Sequence, residues 1–218
     1  MVQPRTAPAA RDSQRAITLS VVVAALGYFV DIYDLLLFAI VRVPSLRSLG
    51  VEGDELLRAG ERLLNMQMSG MLLGGLLWGV LGDRRGRLSV LFGSIFMYSA
   101  ANIANAWVQS VEAYAWLRFI AGIGLAGELG AGITLVSEIM PKETRGYGTT
   151  IVAATGILGA VVAALVGDAF DWRVSYIVGG VMGFALLALR IGVYESGLFE
   201  NVRQIGSSRG NVLQLFNR

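Results

Sequence analysis

Asp31 and Asp34 stand three residues apart inside the apolar run Ala16–Val41, on one face of any helix that run forms. Arg118 interrupts a later apolar run, and Glu128 follows in Ala126-Gly127-Glu128-Leu129-Gly130. An ionised side chain at the centre of a bilayer costs about 2.5 kcal/mol or more, so such groups face a cavity or one another. Two chemistries are open to them, ion pairing and reversible proton binding. Burial favours the neutral acid and a nearby cation favours the carboxylate, so acids gathered near an arginine can exchange a proton in the physiological range. Other chemistries are missing. The chain has no histidine and no cysteine, which removes disulfides, thiolate chemistry and the usual zinc, haem and triad arrangements. No nucleophile–base or metal-ligand cluster is present, so neither an enzyme nor a cofactor is expected. Asp31, Asp34 and Glu128 are the only acid–base candidates for a membrane-embedded enzyme.

The elements that position these residues follow from composition. Hydrophobic residues make up 55% of the chain and charged residues 16%, with mean hydropathy +0.61. A soluble domain carries about 25% charged residues, so this chain cannot coat itself in polar surface and must face lipid. Net charge is +2 and Lys142 is the only lysine, which leaves no basic footprint for nucleic acid. Six apolar segments are near the spanning length of about 20 residues: Ala16–Val41, Leu63–Leu81, Leu88–Trp107, Ala113–Val136, Tyr147–Val166 and Val174–Ile191. Strands would leave backbone groups unpaired in lipid, and no alternating pattern suggests a barrel, so all six are helices. The first run is too long for a signal peptide, contains two aspartates and lacks a small-residue cleavage site.

Basic residues orient the spans. With the N-terminus inside, the inner segments hold twelve, namely Arg5, Arg11, Arg15, Arg84, Arg85, Arg87, Lys142, Arg145, Arg190, Arg203, Arg209 and Arg218. The outer segments hold five, Arg42, Arg47, Arg58, Arg62 and Arg173. That asymmetry places both termini in the cytoplasm. Asp34 then lies about 10 Å from the outer end of its span and Arg118 roughly 7–8 Å from the same side, so they meet at one level. The pair acts either as a structural tie holding two helices in register, or as a switch in which protonating the acid frees the arginine. The mixed-charge connection Arg42–Arg62 reads as a short amphipathic helix on the outer surface. Asp83 is placed to cap the third helix while Arg84, Arg85 and Arg87 hold the headgroup side.

Glycines spaced four apart, Gly70 and Gly74 or Gly75 and Gly79, mark close helix packing. The dense run Gly122–Gly132 adds a surface suited to lining a path. Gly82-Asp83 recurs as Gly167-Asp168, an offset of 85 residues, and with three spans per unit the two copies have opposite topology.

The charged turn Gly82–Arg87, read from Gly79, resembles the first-loop motif of the major facilitator superfamily, Gly-x-x-x-Asp-Arg-x-Gly-Arg. Arg118, Gly122 and Gly124 resemble its fourth-span motif. Glu138-x-x-Pro141-x-x-x-Arg145-Gly146 matches the following loop of sugar porters and metabolite/proton symporters, and Glu195-Ser196-Gly197-Leu198-Phe199 is similar to their segment after span six, with Gly197 in place of proline. The fifth span lacks the Gly-Pro of drug/proton antiporters. The resemblance implies an all-α membrane protein of six transmembrane helices in a 3+3 inverted repeat, half of a facilitator fold, in the cell (plasma or inner) membrane. It also implies that an acid of the first span, best matched by Asp34, couples protons with Arg118, and that Glu128 stands where phosphate and metabolite symporters carry an acid. Asp83, Arg84, Arg87, Glu138 and Arg145 become gating-loop residues that latch against a second half.

Residues 1–15 are then a cytoplasmic tail, 16–192 the membrane domain, and 193–218 a tail similar to the central loop of a full-length transporter. Members of the superfamily normally have twelve spans, and this chain holds six. The expected activity is proton-coupled transport of a small polar metabolite, a sugar or an organic acid, in lipid, with a second copy or a separate C-terminal half as partner. The alternative is a half-length interaction or assembly protein, or a truncated remnant, that transports nothing.

Overall fold

The computed structural model describes residues 7–85, 87–128, 140 and 144–195. Among them six helices run in order: α1 (Ala7–Ser48), α2 (Asp54–Arg85), α3 (Arg87–Asn105), α4 (Val111–Ala126), α5 (Arg145–Ala169) and α6 (Trp172–Glu195). Each expected span has its helix. Four contain stretches long and apolar enough to cross a membrane, Thr18–Ser48, Asp54–Gly82, Arg145–Ala169 and Trp172–Val193. The fourth expected span reaches Val136, and its residues 129–136 lie outside the described ones. Helix α1 begins at Ala7, within the segment assigned to the N-terminal tail.

Local chemistry sets the helix starts. Ser110 caps α4, its hydroxyl accepting from the Ala113 N–H at 3.2 Å, with Glu112 in the first turn favoured by the helix dipole. Asp171 does the same for α6, accepting from the Arg173 N–H at 2.9 Å. Between α1 and α2 the chain turns at Gly50 and Gly53, whose φ of +83° and +61° only glycine adopts freely.

Two expectations are corrected here. No separate surface helix spans Arg42–Arg62, because α1 runs to Ser48 and α2 begins at Asp54. Leu46, within this segment, and Leu63, just after it, are fully buried in one cluster at that end of the bundle. They belong to the ends of spanning helices. Likewise Asp83 does not occupy a capping position of α3. Helix α2 continues through it to Arg85 and α3 resumes at Arg87, so the acid sits on the last turn of α2.

The packing repeats itself. Helix α1 lies along α5 as α2 lies along α4, and α3 packs on α4 as α6 packs on α1. Exchanging α1 with α4, α2 with α5 and α3 with α6 therefore maps the bundle onto itself. Helices α1 and α4 are antiparallel, since Ser45 meets Tyr114 while Asp34 meets Arg118, so the two halves are inverted. The close approaches correspond in detail. A Cβ on Gly74 would meet Ile123, and one on Gly159 would meet Phe29. Gly122 faces Met71, and Gly156 faces Tyr28. Both correspondences use one offset for α2 to α5, 85 residues, as the Gly-Asp repeat implied, and one of 94 for α1 to α4. A Cβ at Gly122 would strike the Gln67 backbone, so even alanine forces these helices apart.

Large apolar side chains point outward from α2 and α5, among them Leu72, Leu76, Ile157 and Leu165. In a membrane they face lipid or another protein surface. Trp107 and Trp116 are exposed near the α3–α4 turn, where an aromatic belt belongs.

Candidate functional site

Arg118 on α4 is the largest fully buried side chain among the described residues. Its guanidinium lies between two aromatic faces, 5.1 Å from the Phe38 centroid on α1 and 5.0 Å from that of Tyr176 on α6. Cation–π contacts are worth about 0.5–2 kcal/mol each, more when water is excluded. The walls are themselves braced. Tyr176 and Tyr114 hydroxyls share a 2.6 Å bond, Ser45 Oγ donates to Tyr114 Oη at 3.2 Å, and Trp172 stacks on Tyr114. Tyr33 donates to the Ser175 carbonyl at 3.1 Å, tying α1 to α6 beside the site.

Asp34 and Arg118 meet, as their depths require, and both are buried. Their closest approach is 4.0 Å, and Asn102 of α3 bridges them. Its amide nitrogen donates to Asp34 Oδ1 at 2.5 Å, and its amide oxygen accepts from Arg118 Nη2 at 2.5 Å. One acid, one amide and one cation thus join α1, α3 and α4. Charge-assisted bonds are roughly twice as strong as neutral ones, so the strength of this link depends on whether Asp34 is ionised. The sequence reading missed Asn102, although an amide in an apolar span was the available signal.

Asp31 and Glu128 do not join that group. They lie in a second cluster with Arg190 of α6, whose Nη2 stands 2.5 Å from Glu128 Oε1. Asp31 is buried within electrostatic reach of both and of Asp34. Arg190 corrects the basic count. It is buried in the bundle and anchors no membrane face, which leaves eleven against five. Under the inverted repeat, the 94-residue offset carries Asp34 onto Glu128, so each half presents one acid to one arginine at corresponding positions.

The gating-loop candidates among the described residues lie at the opposite ends of α2, α3 and α5 from the aromatic cage. Asp83 and Arg84 are on the last turn of α2, with Arg84 exposed, and Arg87 opens α3. Arg145 opens α5, while Glu138 is outside the described residues. No group of three or more metal-ligating side chains occurs among the described residues.

The sequence profile of the Major Facilitator Superfamily matches residues 19–208. The chain belongs to this superfamily. It is accordingly a multi-pass membrane protein. Among curated superfamily relatives, the niacin transporter NiaP of Acinetobacter baylyi is 31% identical over 163 residues, covering 73% of this chain and 36% of the relative. The 4-hydroxybenzoate transporter PcaK of Pseudomonas putida is 30% identical over 152 residues, covering 67% and 34%. The proton:xylose symporter XylE, solved with 6-bromo-6-deoxy-D-glucose, superposes with a TM-score of 0.71 at 19% identity, over 84% of this chain and 45% of that one. At that identity the likeness concerns the fold. The chain spans less than half the length of the curated relatives it matches.

Proposed function

We propose that the protein forms one wall of a proton-coupled transporter for a small carboxylate carried on a ring. The Asp34–Asn102–Arg118 triad carries this reading, because it joins three helices through one proton-accepting group. The substrate class follows from the relatives. Niacin and 4-hydroxybenzoate are both aromatic monocarboxylates, and an organic acid was one of the two classes the sequence admitted. A site for such a molecule lies between two halves, so the wall needs a cover, either a second copy or a distinct C-terminal half.

The test is flux in proteoliposomes holding this chain alone or with a co-purified partner. An inward proton gradient is expected to drive niacin or 4-hydroxybenzoate above its outside concentration, with xylose as the sugar comparison. Cysteines placed on the α1–α4 face of this cysteine-free chain are expected to cross-link a dimer or heteromer in native membranes. Monomer alone, with no flux of any of the three compounds, would sink the transport reading. A half-length interaction or assembly protein would then stand.

The eleven-to-five basic asymmetry supports an orientation with both termini in the cytoplasm. A cysteine at Ser207 is expected to resist an impermeant thiol reagent added outside intact cells. Rapid labelling there would reverse the orientation.

A further inference from the structure

Among the described residues the second buried cluster contains one more acid than cation. Glu128 and Arg190 form an ion pair at 2.5 Å, and apart from it the carboxylate oxygens of Glu128 and of Asp31, both buried, have no hydrogen-bond partner. The groups within electrostatic reach of Asp31 are Asp34 on its own helix, Glu128 beyond α4, and Arg190 on α6. Tyr98 of α3 lies within electrostatic reach of Asp31, Asp34, Glu128 and Arg190, and its hydroxyl is buried without a partner. Helix α5, packed along α1, contributes no titratable residue between Thr149 and Gly167. Asp34 is already matched by Arg118 through Asn102. Three ionised groups would therefore leave one net negative charge in the cluster, which a membrane interior disfavours strongly. One bound proton removes it.

Geometry decides which acid holds that proton. Arg190 reaches Glu128 across Gly27 of α1. A Cβ at that position would overlap Arg190 Nη2 and stand 2.6 Å from Glu128 Oε1. Glycine thus leaves the notch in which the pair closes, and Asp31 is one helical turn further along α1. We infer that Arg190 is a positioning residue that holds Glu128 as the anion through the notch at Gly27, leaving Asp31 to carry the exchangeable proton. This deepens the transport reading and rests on it for what the proton does, though not for where the proton sits.

Infrared spectroscopy of the protein in lipid nanodiscs reads the site directly, through the carbonyl stretch of a buried protonated carboxyl and its shift in heavy water. The wild-type protein is expected to show the band and Asp31→Asn to lose it. Glu128→Gln is also expected to lose it, because the freed Arg190 takes Asp31 as its counter-ion. The double variant Glu128→Gln/Arg190→Gln, with both charges removed, is expected to keep the band. A group that merely braced the bundle would not produce this loss and recovery. Gly27→Ala, by parting the pair, is expected to move the band in the direction of Glu128→Gln. A band absent from the wild type, one that survives Asp31→Asn, or one missing from the folded double variant overturns the inference. Should the band belong to Asp31 while vesicles show no flux, the inference stands and the transport reading falls. Flux with a band indifferent to Asp31 gives the reverse.

Discussion

Arg118→Ala is expected to cost about 3–5 kcal/mol of stability, the range seen when one partner of a buried ion pair is removed. Three losses combine. Asp34 is left as a buried acid with no cation, its only remaining partner being the Asn102 amide. Asn102 loses the donor to its oxygen, and a buried acceptor without a partner has its own cost. The space between Phe38 and Tyr176 empties, so two aromatic faces lose their contact. Arg118→Lys keeps the charge but not the planar fork that bonds Asn102 while lying between two rings, so an intermediate loss is expected. The deficit has a sign in pH. In the alanine variant the stranded carboxyl is neutral only when protonated, whereas the unfolded chain ionises it at neutral pH. The folded form then binds more protons than the unfolded one, and its stability falls as pH rises. Thermal unfolding of wild type and variant in one detergent, from acid to neutral pH, checks both points. A variant within about 1 kcal/mol of wild type, the range of an exposed pair, would mean that Arg118 does not balance a buried charge.

The parts of this site that depend on depth alone were legible in the sequence. Six apolar runs gave six helices, and counting residues from the span ends brought Asp34 and Arg118 to one level, where they are found. What depends on helix rotation was not legible. Asn102 bridges the pair only because α3 turns that residue toward α1 and α4, and spacing within α3 says nothing about its neighbours. Arg190 was misread for a related reason. It stands one residue from the end of its apolar run, where a basic side chain normally reaches the headgroups. Here it turns inward to Glu128. The repeat was legible in one of its two offsets. The Gly-Asp pairs fixed the 85-residue relation of α2 to α5, but the α1–α2 and α4–α5 connections differ in length. The correspondence of Asp34 with Glu128 therefore needed the packing of Gly74 and Gly159 to show it. The Arg42–Arg62 segment failed because an amphipathic stripe looks the same on a surface helix as on the end of a spanning one.

Asp34→Asn should abolish proton-driven accumulation while leaving a folded, inserted protein that still exchanges substrate across the membrane. The substitution is nearly isosteric, and the new amide oxygen can accept from Asn102 as the carboxylate does. Arg118 loses its counter-ion but keeps the Asn102 oxygen and both ring faces. What disappears is the one group of the triad that can take up a proton. On the proposed reading, protonating Asp34 in the wild type weakens a charge-assisted link and leaves Arg118 without an anion, which permits α1 and α4 to part. In the variant that state is permanent, so the helices move without reference to the proton gradient. Counterflow separates this from a tie that only holds helices in register. A mere tie predicts that stability and exchange fall together. A coupling acid predicts exchange retained and uphill uptake lost. If Asp34→Asn still concentrates substrate against its gradient, the coupling proton belongs to the other cluster, with Asp31 first and Glu128 after it.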